Sequence, residues 1–142
     1  MSTARQIDSE YVKTGKVRVE FKQMAVLGQE SVWAAEAALC ANDQGKFWDY
    51  HEKLYSTQTT QGRGAFTKDN FKRFAVELGL NGEAFTACVD SGKYTQQVRE
   101  ETLEGQRRGV TGTPTFFVNN TQLVGAQPYE TFKQAIEGEL RK

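Results

Sequence analysis

Few side chains in this sequence are equipped for chemistry, and they are scattered. The two cysteines are Cys40 and Cys88, and no C-x-x-C motif occurs. A reactive thiolate is usually found at a helix start, where the positive end of the helix lowers its pKa. Neither cysteine is so placed. Cys40 falls late in an Ala-rich helical stretch and Cys88 in the middle of another, both on apolar stripes, so the residues themselves read as two buried thiols. His51, in "WDYHEKLY", is the sole histidine and has no serine or cysteine partner in a recognisable nucleophile motif, so packing is its expected role. One histidine and two cysteines make no N/S zinc site, and neither a metal nor a cofactor is expected. "QGRG" lacks the Lys-Ser/Thr that would follow it in a phosphate cradle, and Asn119-Asn120-Thr121 is a bare N-x-[ST] match. Trp33, Phe47, Trp48, Tyr50 and Tyr55 are explained by packing between helices.

The most informative stretch is "GVTGTPTFFVN". Pro114 directly precedes an apolar run and follows Thr113, with Gly109 and Gly112 just upstream. Proline is tolerated at the first position of a strand. The Thr113–Pro114 bond could be trans, or cis and turning the chain into a sheet; spacing does not choose between them.

The elements that would position these residues follow from periodicity. Ile7, Tyr11 and Val12 mark a helix over about 4–13, with Gly15 to end it. "KVRVEFKQM" alternates, Val17, Val19 and Phe21 against Lys16, Arg18, Glu20 and Lys22, and is expected to be a half-buried strand. Helices are expected in "ESVWAAEAALCAND" and "KFWDYHEKLYST", followed by a loop in "TQTTQGRGAF". Thr67 caps "KDNFKRFAVELG", where Phe71, Phe74, Ala75 and Leu78 form one stripe, and Asn81 caps a helix turning Phe85, Cys88 and Val89 inward. In "YTQQVREETLEGQRRG", Glu100, Glu104, Arg107 and Arg108 are spaced for ion pairs. "TFFVNNTQLVG" reads as a hairpin about Asn119-Asn120. Pro128, at a first helical position, opens a closing helix with Phe132, Ala135, Ile136 and Leu140 on one face.

At 142 residues the chain fits one domain. Eighteen basic residues balance 18 acidic ones, which leaves no electrostatic case for nucleic acid or an anionic membrane. Aromatics at 11% argue against disorder. No apolar run is long enough to span a membrane, and the polar opening "MSTARQIDSEY" holds no signal peptide.

From about Ile7 onward the sequence resembles the DsbA-like branch of the thioredoxin superfamily. The likeness rests on "EYVKTGKVRVEFKQMAVLG", "AAEAALCANDQGKFWDYHEKLY", "GVTGTPTFFVN" with "LVGAQPYETFKQAIE", and the helical block between strands. It implies an α/β fold of α+β character: a single thioredoxin-like domain over 1–142 with a helical insertion at about 30–109. It also implies that Pro114 is the family's cis-proline and that the Thr113 backbone is where substrate peptide pairs. Because relatives are exported, a structural disulfide joining Cys40 to Cys88 becomes an alternative to two free thiols. The family's C-x-x-C and the strand before it have no counterpart here, so the first βα unit is expected to be incomplete. No catalytic residue is assigned. The compartment stays unassigned.

The expectation is therefore a DsbA-family chain related to thiol–disulfide oxidoreductases and itself redox-inactive. The alternative is a non-catalytic peptide-binding or chaperone-like module. The expected partner is an extended peptide or protein, without nucleic acid or membrane. Unpaired strand edges make a homo-oligomer the expected state.

Overall fold

The computed structural model describes residues 2–61 and 64–142. The chain forms two compact units, one from Lys22–Gly105 and one from both ends, Met1–Phe21 with Gln106–Lys142.

The middle unit is helical: α2 (Gln29–Asn42), α3 (Phe47–Gln61), α4 (Lys68–Glu77), α5 (Gly82–Ser91) and α6 (Thr95–Arg107), whose last residues pass into the other unit. The caps are those the residue types predict. Thr67 accepts a hydrogen bond from the Asn70 amide, and Asn81 from the Ala84 amide. The Asn81 backbone is also gripped from both sides by the Gln44 side chain, which accepts at 2.7 Å and donates at 3.2 Å. The core gathers Tyr50, Phe71, Phe74 and Phe85, each at most 1% exposed, with the small faces of Ala37, Ala38 and Ala41. Small residues on α2 let the large rings of α3, α4 and α5 approach it. Each such aromatic contributes about 1.5–3 kcal/mol by leaving water. The Tyr50 hydroxyl is not left bare, since it donates to the Phe71 carbonyl at 2.8 Å. Burial drives its pKa above the ordinary tyrosine range.

The first and last stretches of this unit are stitched together. The Gln23 amide donates to Glu101 at 2.7 Å and the Ala25 amide to the Thr102 hydroxyl at 3.1 Å. Between them Met24 lies so close to Gly105 that a Cβ there would meet its sulfur at 2.9 Å. Glycine at 105 is the residue that leaves room for the thioether.

The unit built from both chain ends holds α1 (Thr3–Ile7), a π-helical turn (Asp8–Val12), β1 (Thr115–Val118), β2 (Thr121–Val124) and α7 (Tyr129–Leu140). β1 and β2 are antiparallel, with Val118 opposite Thr121 and Phe116 opposite Leu123. The turn uses Asn119 at φ 51°, a left-handed conformation that asparagine accepts more readily than most residues. Tyr11, Phe132 and Ile136 make a small core, supported by Ile7, Val17, Val118 and Leu123. Tyr11 ties the π-turn to α7 by donating to Glu137 at 2.8 Å.

The fold is a helix-rich α+β arrangement with a two-stranded sheet, but four local expectations change. Residues 17–26 form neither helix nor strand, and Val19 and Phe21 are 49% and 36% exposed. Alternation marks a segment suited to a sheet, whereas a strand needs a second backbone, and the sheet among the described residues is β1–β2 alone. Thr57–Gln61, expected as loop, continues α3; Gly62 and Arg63 lie outside the described residues. Pro128 is the N-cap of α7 rather than its first residue. On α6, Glu100 accepts from Gln96, and just past its end Arg108 stacks 3.8 Å from the Phe117 ring centroid.

Candidate functional site

Thr113 and Pro114 sit at the mouth of β1. The peptide bond between them is cis, and both residues are exposed. The loop is held by its neighbours. The Thr115 hydroxyl donates to the Gly112 carbonyl at 2.6 Å, and the Pro114 carbonyl accepts from the Gly125 amide at 2.8 Å. The second bond extends the β1–β2 pairing by one step and fixes Pro114 at the sheet end. The backbone N–H and C=O of Thr113 enter no hydrogen bond among the described residues. An exposed, unbonded peptide group beside a fixed strand can accept another strand.

Phe116 and Val124 add apolar surface nearby, 41% and 54% exposed. Phe116 meets the edge of the Phe132 ring at 4.8 Å, which anchors that face of the hairpin to α7. On the same unit the Tyr129 hydroxyl donates to Glu10, a carboxylate contact that holds its pKa above the ordinary tyrosine range.

The cysteines belong to the other unit. Cys40 on α2 and Cys88 on α5 are joined as a disulfide, with Cα atoms 5.9 Å apart, and no free cysteine remains. The residues themselves read as two buried thiols; the structure has instead the disulfide that the family resemblance raised as the alternative. Their surroundings include three residues that sequence reasoning did not single out: Asp43, Lys93 and Tyr94. Asp43 accepts from Lys93 at 2.7 Å and from the Tyr94 hydroxyl. Partial burial raises its pKa, but these two donors outweigh that and hold the carboxyl below its usual range. A signal for this cluster was present, because an aspartate at the C-terminal end of a helix opposes the helix dipole and calls for a nearby cation.

His51 lies among rings on α3, with centroids 5.8 Å from Phe47, 5.5 Å from Trp48 and 4.5 Å from Tyr55. Half-burial there lowers its pKa below 6.5, partly offset by the Glu52 charge. Folding therefore favours neutral imidazole. Its contribution is complete above about pH 6.5 and declines as pH falls below that, until the folded-state pKa is passed. An NMR titration of the single histidine should give a midpoint below 6.5; a midpoint at or above 6.5 contradicts this environment. No cluster of three metal-ligating side chains occurs among the described residues.

The comparisons with known proteins concern the family and the fold. The thioredoxin family profile, described as Thioredoxin, matches residues 2–138. The chain is 26% identical over 139 residues to disulfide bond formation protein D of Bacillus subtilis, covering 96% of this chain and 63% of that protein. It thus spans less than two thirds of that curated relative. The crystal structure of oxidised BdbD from Bacillus subtilis superposes with a TM-score of 0.86 at 26% identity, covering 97% of this chain and 76% of that one. The thiol-disulfide exchange protein alpha-DsbA2 from Wolbachia pipientis shares the fold, with a TM-score of 0.79 at 22% identity over 96% of this chain and 71% of its own. A family match over residues 2–138, with the relative from Bacillus subtilis and the superposition on oxidised BdbD, leads to one assignment: the chain belongs to the thioredoxin family, in its DsbA-like branch.

Proposed function

We propose that residues 1–142 supply the fold and the peptide-facing loop of a DsbA-type thiol–disulfide oxidoreductase without exchanging protein thiols themselves. The observation that carries this reading is the unbonded, exposed backbone of Thr113 beside Pro114 at the end of β1. An extended peptide laid along it would gain main-chain hydrogen bonds by β-augmentation, with Phe116 offering apolar contact. Redox chemistry would require an accessible low-pKa thiolate. No C-x-x-C is present, and both cysteines are bonded to each other in the unit that does not contain Thr113.

The test has two arms. In an oxidative folding assay on a reduced, unfolded two-cysteine protein, the chain is expected to add no turnover to the background rate. In an NMR titration with an extended cysteine-free peptide, amide shifts are expected to concentrate at 112–118. Repeated turnover overturns the redox-inactive reading. Shifts absent from 112–118 overturn the peptide-facing one. Shifts without turnover are also what a chaperone-like module gives, so suppression of aggregation of an unfolded protein separates that alternative.

The same open edge, together with exposed Phe116 and Val124, supports self-association of the chain. Light scattering is expected to report a dimer or larger species that dissociates on dilution. A monomer at every concentration removes this part of the proposal.

A further inference from the structure

We propose that Cys88 is a modification site for small thiols: the Cys40–Cys88 disulfide opens by attack at the Cys88 sulfur, leaving a mixed disulfide there and a free thiol at Cys40. This goes beyond the peptide-facing reading and does not depend on it.

The two sulfurs are chemically alike but differently placed. Cys40 is 1% exposed, inside the helical core. Cys88 is only partly buried, and both cysteines border a surface cavity that Asp43, Gln44, Ser91 and Lys93 also line. Its sulfur is 3.8 Å from an Asp43 carboxylate oxygen. That is a packing contact, since a disulfide sulfur carries no proton to donate. Lys93, 2.7 Å from the same oxygen, offsets the negative charge an approaching thiolate would otherwise meet.

In the step, a small thiol ionises and its thiolate attacks Cys88 Sγ. A new S–S bond forms as the Cys40–Cys88 bond breaks, and the departing Cys40 thiolate takes up the proton released by the attacker. One disulfide and one thiol give one disulfide and one thiol, so no further oxidant or reductant is needed.

Two effects oppose each other in choosing the sulfur. Leaving-group strength favours attack at Cys40, because Cys88 would depart as a thiolate near Lys93 and water. Access favours Cys88. Cys40 reaches the cavity wall with only 1% of its surface exposed, so an incoming thiol meets the partly buried Cys88 first. Access therefore decides for Cys88.

The experiment exposes the oxidised chain to millimolar reduced glutathione, quenches with acid at intervals, and locates the glutathione adduct by peptide mass spectrometry. An adduct at Cys88 in clear excess over Cys40 is expected. Equal adducts, or more at Cys40, overturn the proposal. So does an adduct that appears only after denaturant is added, because opening would then require unfolding. Single variants give a second readout in the native chain. Under iodoacetamide, Cys88 in Cys40→Ser should react faster than Cys40 in Cys88→Ser.

Discussion

Replacing both cysteines by alanine will lower the stability of the helical unit by about 2–4 kcal/mol. The bond joins residues 48 apart in sequence, from α2 to α5, so in the oxidised unfolded chain it closes a long loop. The chain-entropy relation puts the restriction of a loop of that size at about 4 kcal/mol, near the top of the range measured for natural disulfides. Packing changes add little, because alanine fills much of the space of cysteine in a wall already built from Ala37, Ala38 and Ala41. Urea unfolding of the oxidised wild type against Cys40→Ala/Cys88→Ala measures the effect. Tryptophan fluorescence is the right probe, since Trp33 and Trp48 both lie in this unit. A difference under about 1 kcal/mol would mean that the unfolded chain is already constrained by other means.

Phe132→Ala is the second large effect, expected to cost about 3–5 kcal/mol. Phe132 is 4% exposed and packs with Tyr11 and Ile136, while its ring supports Phe116 edge-on. The core it would vacate is small, and a domain with little buried surface has only a few kcal/mol in hand. Truncation is therefore expected to unfold the hairpin and α7 locally while the helical unit persists. Hydrogen exchange should show lost protection over 115–124 and 129–140, and tryptophan fluorescence should stay native. Equal loss in both units would show instead that they unfold as one. With the hairpin gone, peptide-induced shifts at 112–118 should vanish as well.

Sequence alone reached the local features well. Thr67 and Asn81 cap helices through their own side chains, and the stripes of Phe71, Phe74 and Ala75, of Phe85 and Val89, and of Phe132 and Ile136 became the buried faces. These features are legible because period, cap and turn are each written within a few residues. The features that did not show depend on distant partners. Val17, Val19 and Phe21 alternate as a strand does, yet pairing is a property of two segments. The end of α3 was hidden by its polar composition, although Thr57, seven positions after Tyr50, is buried on the same face. The bond between Cys40 and Cys88, and the Asp43–Lys93–Tyr94 cluster beside it, join elements far apart in the chain. For the cysteines, the residues read as buried thiols, and the disulfide entered as an alternative only through the family resemblance. At Thr113–Pro114 the chemistry of proline marked the place, and the resemblance rather than the spacing implied the cis bond.

The stitching of 22–25 onto 101–105 has a consequence for how such a chain can be rebuilt. Gln23, Met24 and Ala25 meet Glu101, Thr102 and Gly105, so the helical unit begins and ends at one point. A segment whose two ends touch can be lifted out and its gap closed with a short turn, or grafted into a surface loop of another protein without prising that loop apart. The two backbone hydrogen bonds and the Met24–Gly105 contact thus act as a clasp. Its disulfide travels inside the graft, because Cys40 and Cys88 both lie between the ends.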